Sequence, residues 1–179
     1  METNSTKVIT GKVRFCYANV FEPTSMQEGG EKKYNVAVLI SKKDKATIDK
    51  INKAVDNAIQ AGIDKVGKNG KVVPNIKMPL RDGDEERPDD AAFAGCYFVN
   101  CTSQRKPGIV DADLNPIMDK EEFYSGCYGR ASINFYAFNV SGNKGIAAGL
   151  NNLQKLEDGE RLSGGSSAEE DFSDDDDMM

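Results

Sequence analysis

Aromatic, basic and hydrogen-bonding side chains alternate with apolar ones in the stretch from Tyr124 to Leu156. One set of alternate positions is entirely apolar and consists of Ala131, Ile133, Phe135 and Ala137. The other set mixes rings, a cation and small polar groups, and consists of Tyr128, Arg130, Ser132, Asn134, Tyr136 and Phe138. This period of two predicts a β-strand with one buried face.

The mixed face has the chemistry that binds a single-stranded nucleic acid. Planar rings provide surfaces on which bases stack, and a neighbouring cation attracts the phosphates. An alternative interpretation is that Tyr128 and Tyr136 cover a second core layer or a dimer interface. Periodicity alone does not separate these two interpretations.

Further basic and aromatic candidates lie near the ends of other predicted strands. Arg105 and Lys106 directly follow the predicted strand 96–103 and form a basic rim there. Lys12 and Arg14 share one face of the first predicted strand. With two more tyrosines, the predicted DNA-binding set is Lys12, Arg14, Tyr97, Arg105, Lys106, Tyr124, Tyr128, Arg130 and Tyr136.

Patterns for catalysis or metal binding are weak. Six acids between residues 82 and 90 lie in a turn-rich run, which predicts a solvated loop rather than convergent Mg²⁺ ligands. Asp111 and Asp113 have the spacing that begins a calcium loop, without its glycine and terminal glutamate. The chain has no histidine, and its four cysteines form no CxxC pair, with Cys96 and Cys101 on opposite strand faces. We therefore predict reduced thiols, no metal, no cofactor and no enzymatic activity.

The negative charge is concentrated at the C-terminal end. The 179 residues carry a formal net charge of −6, but residues 169–179 hold seven acids and no base. The remainder has 23 bases against 22 acids, which is a charge of +1. We predict one domain over residues 1–162, followed by a flexible linker and disordered acidic tail over 163–179. The tail is either a solubilising segment, a nucleic-acid mimic that competes for a basic groove, or a partner-docking segment that presents Phe172.

The remaining pattern predicts a mainly β fold. One strand is expected over 7–18, with Ile9, Val13, Phe15 and Tyr17 on one face, and another over 34–40. A single amphipathic helix is expected to begin at Ser41 and end at Gly67–Gly70, with an apolar stripe at Ile48, Ile51, Val55, Ile59, Ile63 and Val66. Strands, one helix and long loops favour an OB-fold-like antiparallel barrel. No apolar run is long enough to cross a membrane, so we expect a soluble, intracellular protein.

Several long segments resemble a family of bacteriophage single-stranded DNA-binding proteins that was long catalogued as a domain of unknown function. These segments are GCYFVNCTSQRKPGIVD, YSGCYGRASINFYAFN, GIAAGLNNLQKLEDGERLSGG and the acidic end. The resemblance runs roughly from Lys7 to Gly165. It implies an OB-fold core that binds single-stranded DNA without sequence preference in phage replication or recombination.

The resemblance also has implications for partners and location. It implies a location in the cytoplasm of an infected bacterium. In layout only, the chain also resembles other phage and bacterial single-strand binders with an acidic C-terminal tail, and this likeness implies that the tail modulates DNA binding and recruits phage or host replication and recombination proteins. Two alternatives stay open. One is an oligomeric interaction or structural protein that buries its aromatic strand face in a homo-oligomer, and the other is a metal-dependent phage nuclease that uses the acidic loops.

Overall fold

The computed structural model describes residues 5–24 and 32–162. The strands within these ranges are β1 Lys7–Ile9, β2 Val13–Thr24, β3 Lys33–Ser41, β4 Gly67–Lys68, β5 Lys71–Val72, β6 Arg81–Asp82, β7 Cys96–Ser103, β8 Gly108–Val110, β9 Tyr128–Val140 and β10 Asn143–Glu157. The helices are α1 Lys45–Ala61, α2 Ile63–Val66 and α3 Gly83–Glu86, with a 3₁₀ turn at Ala91–Phe93. The acidic tail, and the predictions made for it, lie outside the described residues.

Five strands close on themselves into a barrel. The pairing runs β9–β2–β3–β7–β10 and returns from β10 to β9. Four of these pairings are antiparallel, whereas β10 runs parallel to β7. The mainly β fold is therefore confirmed, with a mixed sheet in place of the predicted purely antiparallel one.

The barrel interior and the helix form one apolar core. The inward residues of β3 and β9 are almost fully inaccessible to solvent, as at Val38 and Ile133, and the apolar set predicted for β9 is buried throughout. Helix α1 packs Ile51, Val55 and Ala58 against this core, which confirms the helical stripe.

The predicted helix starts too early and is divided at Gly62, whereas its predicted end at Gly67 coincides with the C-cap of α2. The helix begins at Lys45, where the side chain of Asp44 accepts a hydrogen bond from the Thr47 amide. It ends at Ala61 with Gly62 as its C-cap. Gly62 passes so close to β9 that an added Cβ would lie 2.4 Å from the Ala137 Cβ, so this position requires glycine. The residues after Gly62 form the separate short helix α2.

The prediction for the first strand is also partly wrong. The expected single strand is two strands, and the break between them resets the alternation, so that Val8 is buried and Ile9 is 45% exposed. Tyr17 has a φ of 49°, an uncommon backbone state that turns its side chain outward. It is 44% exposed rather than in the core. Val13 and Phe15 are buried as predicted.

A second, smaller apolar cluster covers part of the outside of the barrel. It consists of Cys16, Ala37, Leu39, Phe93 and Phe98. The segment that contributes Phe93 is fastened to the barrel by ion pairs from Lys42 to Asp82 and Asp84, both 2.8 Å.

The acidic segment is more structured than predicted. The run expected to be a solvated loop contains β6, α3 and the 3₁₀ turn. Several of its acids are engaged, since Glu86 pairs with Arg81 and Asp90 accepts a hydrogen bond from the Tyr17 hydroxyl. Among residues 5–24 and 32–162, no group of three or more acidic or cysteine side chains is arranged to hold a metal ion.

The thiols and the helices give two further results. All four cysteines are free, as predicted, and burial raises the pKa of the Cys101 thiol well above its usual range. Cys101 points into the main core while Cys96 packs on the outer cluster, which confirms that they lie on opposite faces. No helix in the described part of the chain is long and apolar enough to span a membrane.

Candidate nucleic-acid interface

A row of polar and small residues crosses the outer wall of the barrel, with one residue from each of its five strands. The strand register places Asn134 beside Gly149, Gly149 beside Thr102, Thr102 beside Asn35, and Asn35 beside Asn19. Each of the first four alternates along its strand with residues of the buried core, so these positions lie on the outward face. We call these five residues the amide row.

The amide row is held in place by hydrogen bonds among its own side chains and their neighbours. The Asn19 amide donates to the Asn35 side-chain oxygen at 3.0 Å, and the Asn35 amide donates to the Thr24 hydroxyl at 2.9 Å. At the other end, the Thr6 hydroxyl donates to the Asn134 oxygen at 3.1 Å. The Asn19 and Asn35 amides also donate to the backbone carbonyl oxygens of Tyr17 and Lys33, at 3.3 and 3.2 Å. Both NH2 groups are therefore held in fixed orientations on the outer face.

Tyr136 lies at the β9 end of the amide row. It is 45% exposed, and its partner across the hairpin is the small residue Ala147. An added Cβ at Gly149 would be 3.5 Å from the Tyr136 Cε1 atom, so the ring lies over the glycine. Gly149 and Ala147 are small and add little height to the barrel surface beside this ring. The outward face of the ring is therefore open to a planar group.

Tyr17 lies at the β2 end of the amide row. Its hydroxyl donates to the Asp90 carboxylate at 3.1 Å, and its ring centroid is 6.1 Å from that of Phe93. Partial burial, together with the hydrogen bond to Asp90 and the charge of that carboxylate, raises the pKa of Tyr17, so the phenol remains neutral at physiological pH. Two exposed tyrosines thus border the two ends of the row.

Cations border the amide row where β3 begins and β7 ends. Lys33 is two positions before Asn35 and therefore on the same face of β3. Arg105 and Lys106 follow β7 two and three residues after its end at Ser103, and both are exposed. The Lys106 ammonium lies 5.4 Å from the centroid of the Phe21 ring. The structure thus places the predicted basic rim beside the row.

Lys12, Arg14, Tyr124 and Tyr128 are brought together at the other end of β9. Lys12 and Arg14 lie over the Tyr128 ring, at 5.4 and 5.2 Å from its centroid. Arg14 also donates to the carbonyl oxygens of Gly126 and Glu160, at 3.0 and 2.9 Å.

The neighbouring Tyr124 is similarly engaged. Its hydroxyl donates to the Gly159 carbonyl at 2.9 Å, and the Arg161 guanidinium lies 4.5 Å from its ring centroid. We call this arrangement the C-terminal clasp, defined by Lys12, Arg14, Tyr124 and Tyr128 together with residues 157–162, which they hold.

The clasp and the amide row are separate surfaces. Tyr128 and Tyr136 are eight residues apart on one extended strand, which corresponds to about 26 Å. Arg130 lies between them, exposed, with its Nε donating to the Thr10 carbonyl at 3.0 Å. Tyr97 is on the opposite face of β7 from Thr102 and packs under the Lys42 ammonium, 5.3 Å from its ring centroid. The structure therefore does not bring the nine predicted residues into one site.

Tyr17, Lys33 and the amide row as a whole are not among the residues predicted from the sequence. One signal for the row was available, because asparagine is depleted in β-strands. Asn19, Asn35, Asn100 and Asn134 nevertheless all lie inside strands. An amide retained at such a position indicates a hydrogen-bonding task on the exposed face.

A family model described as the single-stranded DNA-binding protein of Enterobacter phage Enc34 matches residues 6–179. This chain belongs to that family. A relative in Acyrthosiphon pisum secondary endosymbiont phage 1, the p50 protein, is 30% identical over 175 residues, which cover 94% of this chain and 93% of that protein. Both comparisons agree with the resemblance found in the sequence.

Solved structures place the Enc34 family fold among OB-fold proteins. The Enc34 protein in complex with single-stranded DNA superimposes with a TM-score of 0.79 at 21% identity, covering 91% of this chain and 96% of that chain. The gp2.5 single-stranded DNA-binding protein of bacteriophage T7 gives a TM-score of 0.62 at 17% identity, with the same coverage of both chains. The Enc34 family is one of binding proteins rather than enzymes, in agreement with the predicted lack of enzymatic activity.

Proposed function

We propose that the chain is a phage single-stranded DNA-binding protein and that the DNA crosses the barrel along the amide row. The observation that carries this proposal is the continuous row through all five barrel strands, with an exposed tyrosine at each end. Each stacked base contributes about 1–3 kcal/mol. Tyr136 and Tyr17 would supply the rings, and Lys33, Arg105 and Lys106 the phosphate contacts.

The proposed surface suits binding without sequence preference. Tyrosine stacking accepts every base, because each base has a planar face. The small and polar residues of the row, with the Asn19 and Asn35 amides held by hydrogen bonds within the protein, offer a polar surface that does not select one base. Together with membership of the Enc34 family, these properties support a role in phage DNA replication or recombination in the cytoplasm of the infected cell.

We further propose that residues 163–179 form a linker and acidic tail that competes with DNA for the same surface. The last described residue supports this, because Leu162 donates from its amide to the Ser125 carbonyl at 2.9 Å and packs on the outer cluster that contains Cys16 and Phe93. The tail therefore starts on the outer wall, near the Tyr17 end of the row. Six linker residues span at most about 20 Å, which is about the width of the five-strand row. A tail displaced by DNA would then be free to bind replication or recombination proteins.

Binding to fluorescent oligothymidine over a series of salt concentrations tests these proposals, with the full chain compared with a chain truncated after Ser167. We expect both forms to bind, and the truncated form to bind more tightly because the competing acids are gone. Equal binding by both forms would retain the DNA site and contradict the competition. Failure of both forms to bind at low salt would overturn the main proposal, and a stable oligomer that ignores DNA would support the interaction-protein alternative.

A further inference from the structure

Five lysines lie on α2, on the β4–β5 hairpin that is bonded to it, and where residue 77 pairs with β10, beyond the Tyr136 end of the amide row. They are Lys65, Lys68, Lys71, Lys77 and Lys144. Between residues 63 and 77 the only acid is Asp64. Within the described residues, none of the five lysines is part of an ion pair. This contrasts with Lys12, Lys42 and Lys155, each of which is paired with a carboxylate.

A tight hairpin fixes two of these lysines side by side. Strands β4 and β5 pair Lys68 with Lys71 across the turn Asn69–Gly70. Both turn residues have positive φ, at 56° and 78°, as a type I′ turn requires. The turn thus presents two like charges to solvent at neighbouring positions, which is destabilising without a counter-charge.

Backbone hydrogen bonds attach this segment to the end of the barrel hairpin. The Lys77 amide donates to the Lys144 carbonyl at 2.9 Å, and the Ile146 amide donates to the Lys77 carbonyl at 2.9 Å. The Val73 amide donates to the Val66 carbonyl at 2.9 Å, which joins the β4–β5 hairpin to α2. The lysines are therefore carried on the same rigid support as β9 and β10.

Lys77 also lies next to the outward face that carries Tyr136. A Cβ added at Gly145 would be 2.8 Å from the Lys77 Cβ and 2.9 Å from Phe138 Cε1. Phe138 is two positions after Tyr136 on β9 and shares its face. A chain that leaves the amide row past Tyr136 would thus meet Phe138 and Lys77 next.

We propose that these five lysines form a second DNA-contact surface that holds the phosphates of single-stranded DNA as it leaves the amide row. This surface contacts the backbone and not the bases, since lysines supply charge at its exposed positions. The inference rests on the proposed DNA-binding function. It predicts that DNA long enough to pass Tyr136 gains salt-dependent contacts that a short oligonucleotide lacks.

The test uses the full chain carrying Lys68→Gln, Lys71→Gln and Lys77→Gln together, with two lengths of oligothymidine. A short probe of about 8 nucleotides is within the site size of one OB fold, and a probe of about 25 nucleotides exceeds it. For single strands, each phosphate contact contributes about 0.7 to the salt slope, which is the decrease in log affinity per unit increase in log salt concentration. For the long probe, we expect the slope of the triple variant to be smaller by about 2 than that of the wild type. Over a fourfold rise in salt, the variant should therefore lose roughly sixteenfold less affinity than the wild type does. The short probe should be unaffected.

A matched control replaces three exposed lysines at the start and on the outer face of α1, with Lys43→Gln, Lys45→Gln and Lys53→Gln. It changes the net charge equally and should leave both slopes unchanged. Equal slopes for the triple variant and the wild type on the long probe, with binding intact, would overturn the inference and leave the amide row in place. An equal loss on both probes would also overturn it, since the lysines would then belong to the primary site.

Lysine acetylation of the unsubstituted protein, read by mass spectrometry, gives a measurement that needs no variant. The long probe should protect Lys68, Lys71 and Lys77 from acetylation but leave Lys43 and Lys53 reactive. Protection without DNA that disappears on truncation after Ser167 would assign the surface to the acidic tail instead and contradict the proposal. Failure of every probe to bind the wild-type chain would contradict the proposed function itself.

Discussion

Tyrosines and cations border the amide row and also form the C-terminal clasp, yet Tyr136 beside the row and Tyr124 in the clasp are in opposite states. In the clasp, the Arg14 guanidinium and the Tyr124 hydroxyl are already bonded to backbone carbonyls of residues 157–162. In the row, Tyr136 has an open ring surface over a glycine. The difference teaches that an aromatic–cationic pattern in a sequence predicts an open binding surface only where the protein has not used those groups itself.

A substitution at the clasp should have the largest effect, and it should fall on stability. An added Cβ at Gly159 would lie 2.0 Å from the Gly126 carbonyl oxygen and 2.7 Å from the Tyr128 Cε2 atom. Because the first neighbour is backbone, we expect Gly159→Ala to lower the free energy of unfolding by about 2–3 kcal/mol, in the range of overpacked sites. Urea denaturation measures this loss.

Gly149→Ala in the amide row is the matched control. Its added Cβ would be 3.4 Å from the Asn134 carbonyl oxygen and 3.5 Å from the Tyr136 ring, so we expect a stability change below about 1 kcal/mol. Similar losses for the two glycine variants would show that the clasp is not a tightly packed structural element.

Replacing each of the two tyrosines with alanine tests the function of each surface separately. Tyr136→Ala should weaken oligothymidine binding by about 1–3 kcal/mol through loss of one stacking surface, with little change in stability because the ring is 45% exposed. Tyr128→Ala should instead lower stability and leave affinity unchanged at temperatures where the variant is folded. Fluorescence titration and thermal unfolding of both variants give the four values. A weaker affinity for Tyr128→Ala than for Tyr136→Ala would reverse the assignment of the two surfaces.

Substitutions of the cations test the same difference between the two surfaces, through the salt dependence of DNA binding. Arg105→Gln combined with Lys106→Gln should reduce the salt slope of binding by about 1.4, since each single-strand phosphate contact contributes about 0.7. Arg14→Gln should leave the slope unchanged, because its guanidinium bonds two carbonyl oxygens of the clasp. Titrations at four or more salt concentrations measure both slopes. An unchanged slope in the double variant would remove the basic rim from the DNA path.

What the sequence could predict depended on local, repeated patterns. The buried face of β9 was predictable because every inward position meets one continuous core, and a single polar residue would have broken the alternation. Arg105 and Lys106 were predictable as a rim because they directly follow a strand that is central in the sheet. The amphipathic stripe of α1 was predictable because its apolar residues also meet one continuous core. The break at Gly62 was not predictable, because it lies at a close approach to Ala137, which is remote in sequence.

The amide row and the clasp could not be predicted because they are made by remote pairings. The row joins Asn19 to Asn134 through three other strands, and hydrophobic periodicity does not specify strand order. Tyr17 departs from the alternation through a positive φ that its residue type does not favour. The clasp depends on the close approach of Gly126 to Glu160, where an added Cβ would be 1.9 Å from the Glu160 oxygen. Cations and tyrosines close in sequence therefore belong to different surfaces.

The smallest expected effect concerns the support of Tyr17, and it appears as a dependence on pH. The Lys42 ammonium lowers the pKa of Asp82 and of Asp84 below the usual 3.8, and hydrogen bonds to these carboxylates raise the pKa of Lys42. A lowered carboxyl pKa stabilises the fold above the usual aspartate pKa, and this stabilisation is lost as pH falls through the folded-state value. The raised pKa of Lys42 also stabilises the fold, but this stabilisation is lost as the pH rises, and only at strongly alkaline pH.

We therefore expect Lys42→Met to reduce the loss of stability that the protein shows on acidification below about pH 4. The substitution frees the segment that holds Phe93 beneath Tyr17, so oligothymidine affinity at neutral pH should also fall slightly. Thermal unfolding between pH 3 and 7 and titration at pH 7 are the measurements, with Lys43→Met, the adjacent exposed lysine, as the control. An identical acid dependence in Lys42→Met and the wild type would show that these ion pairs do not fasten the segment. The Tyr17 end of the row would then depend on packing of the outer cluster alone.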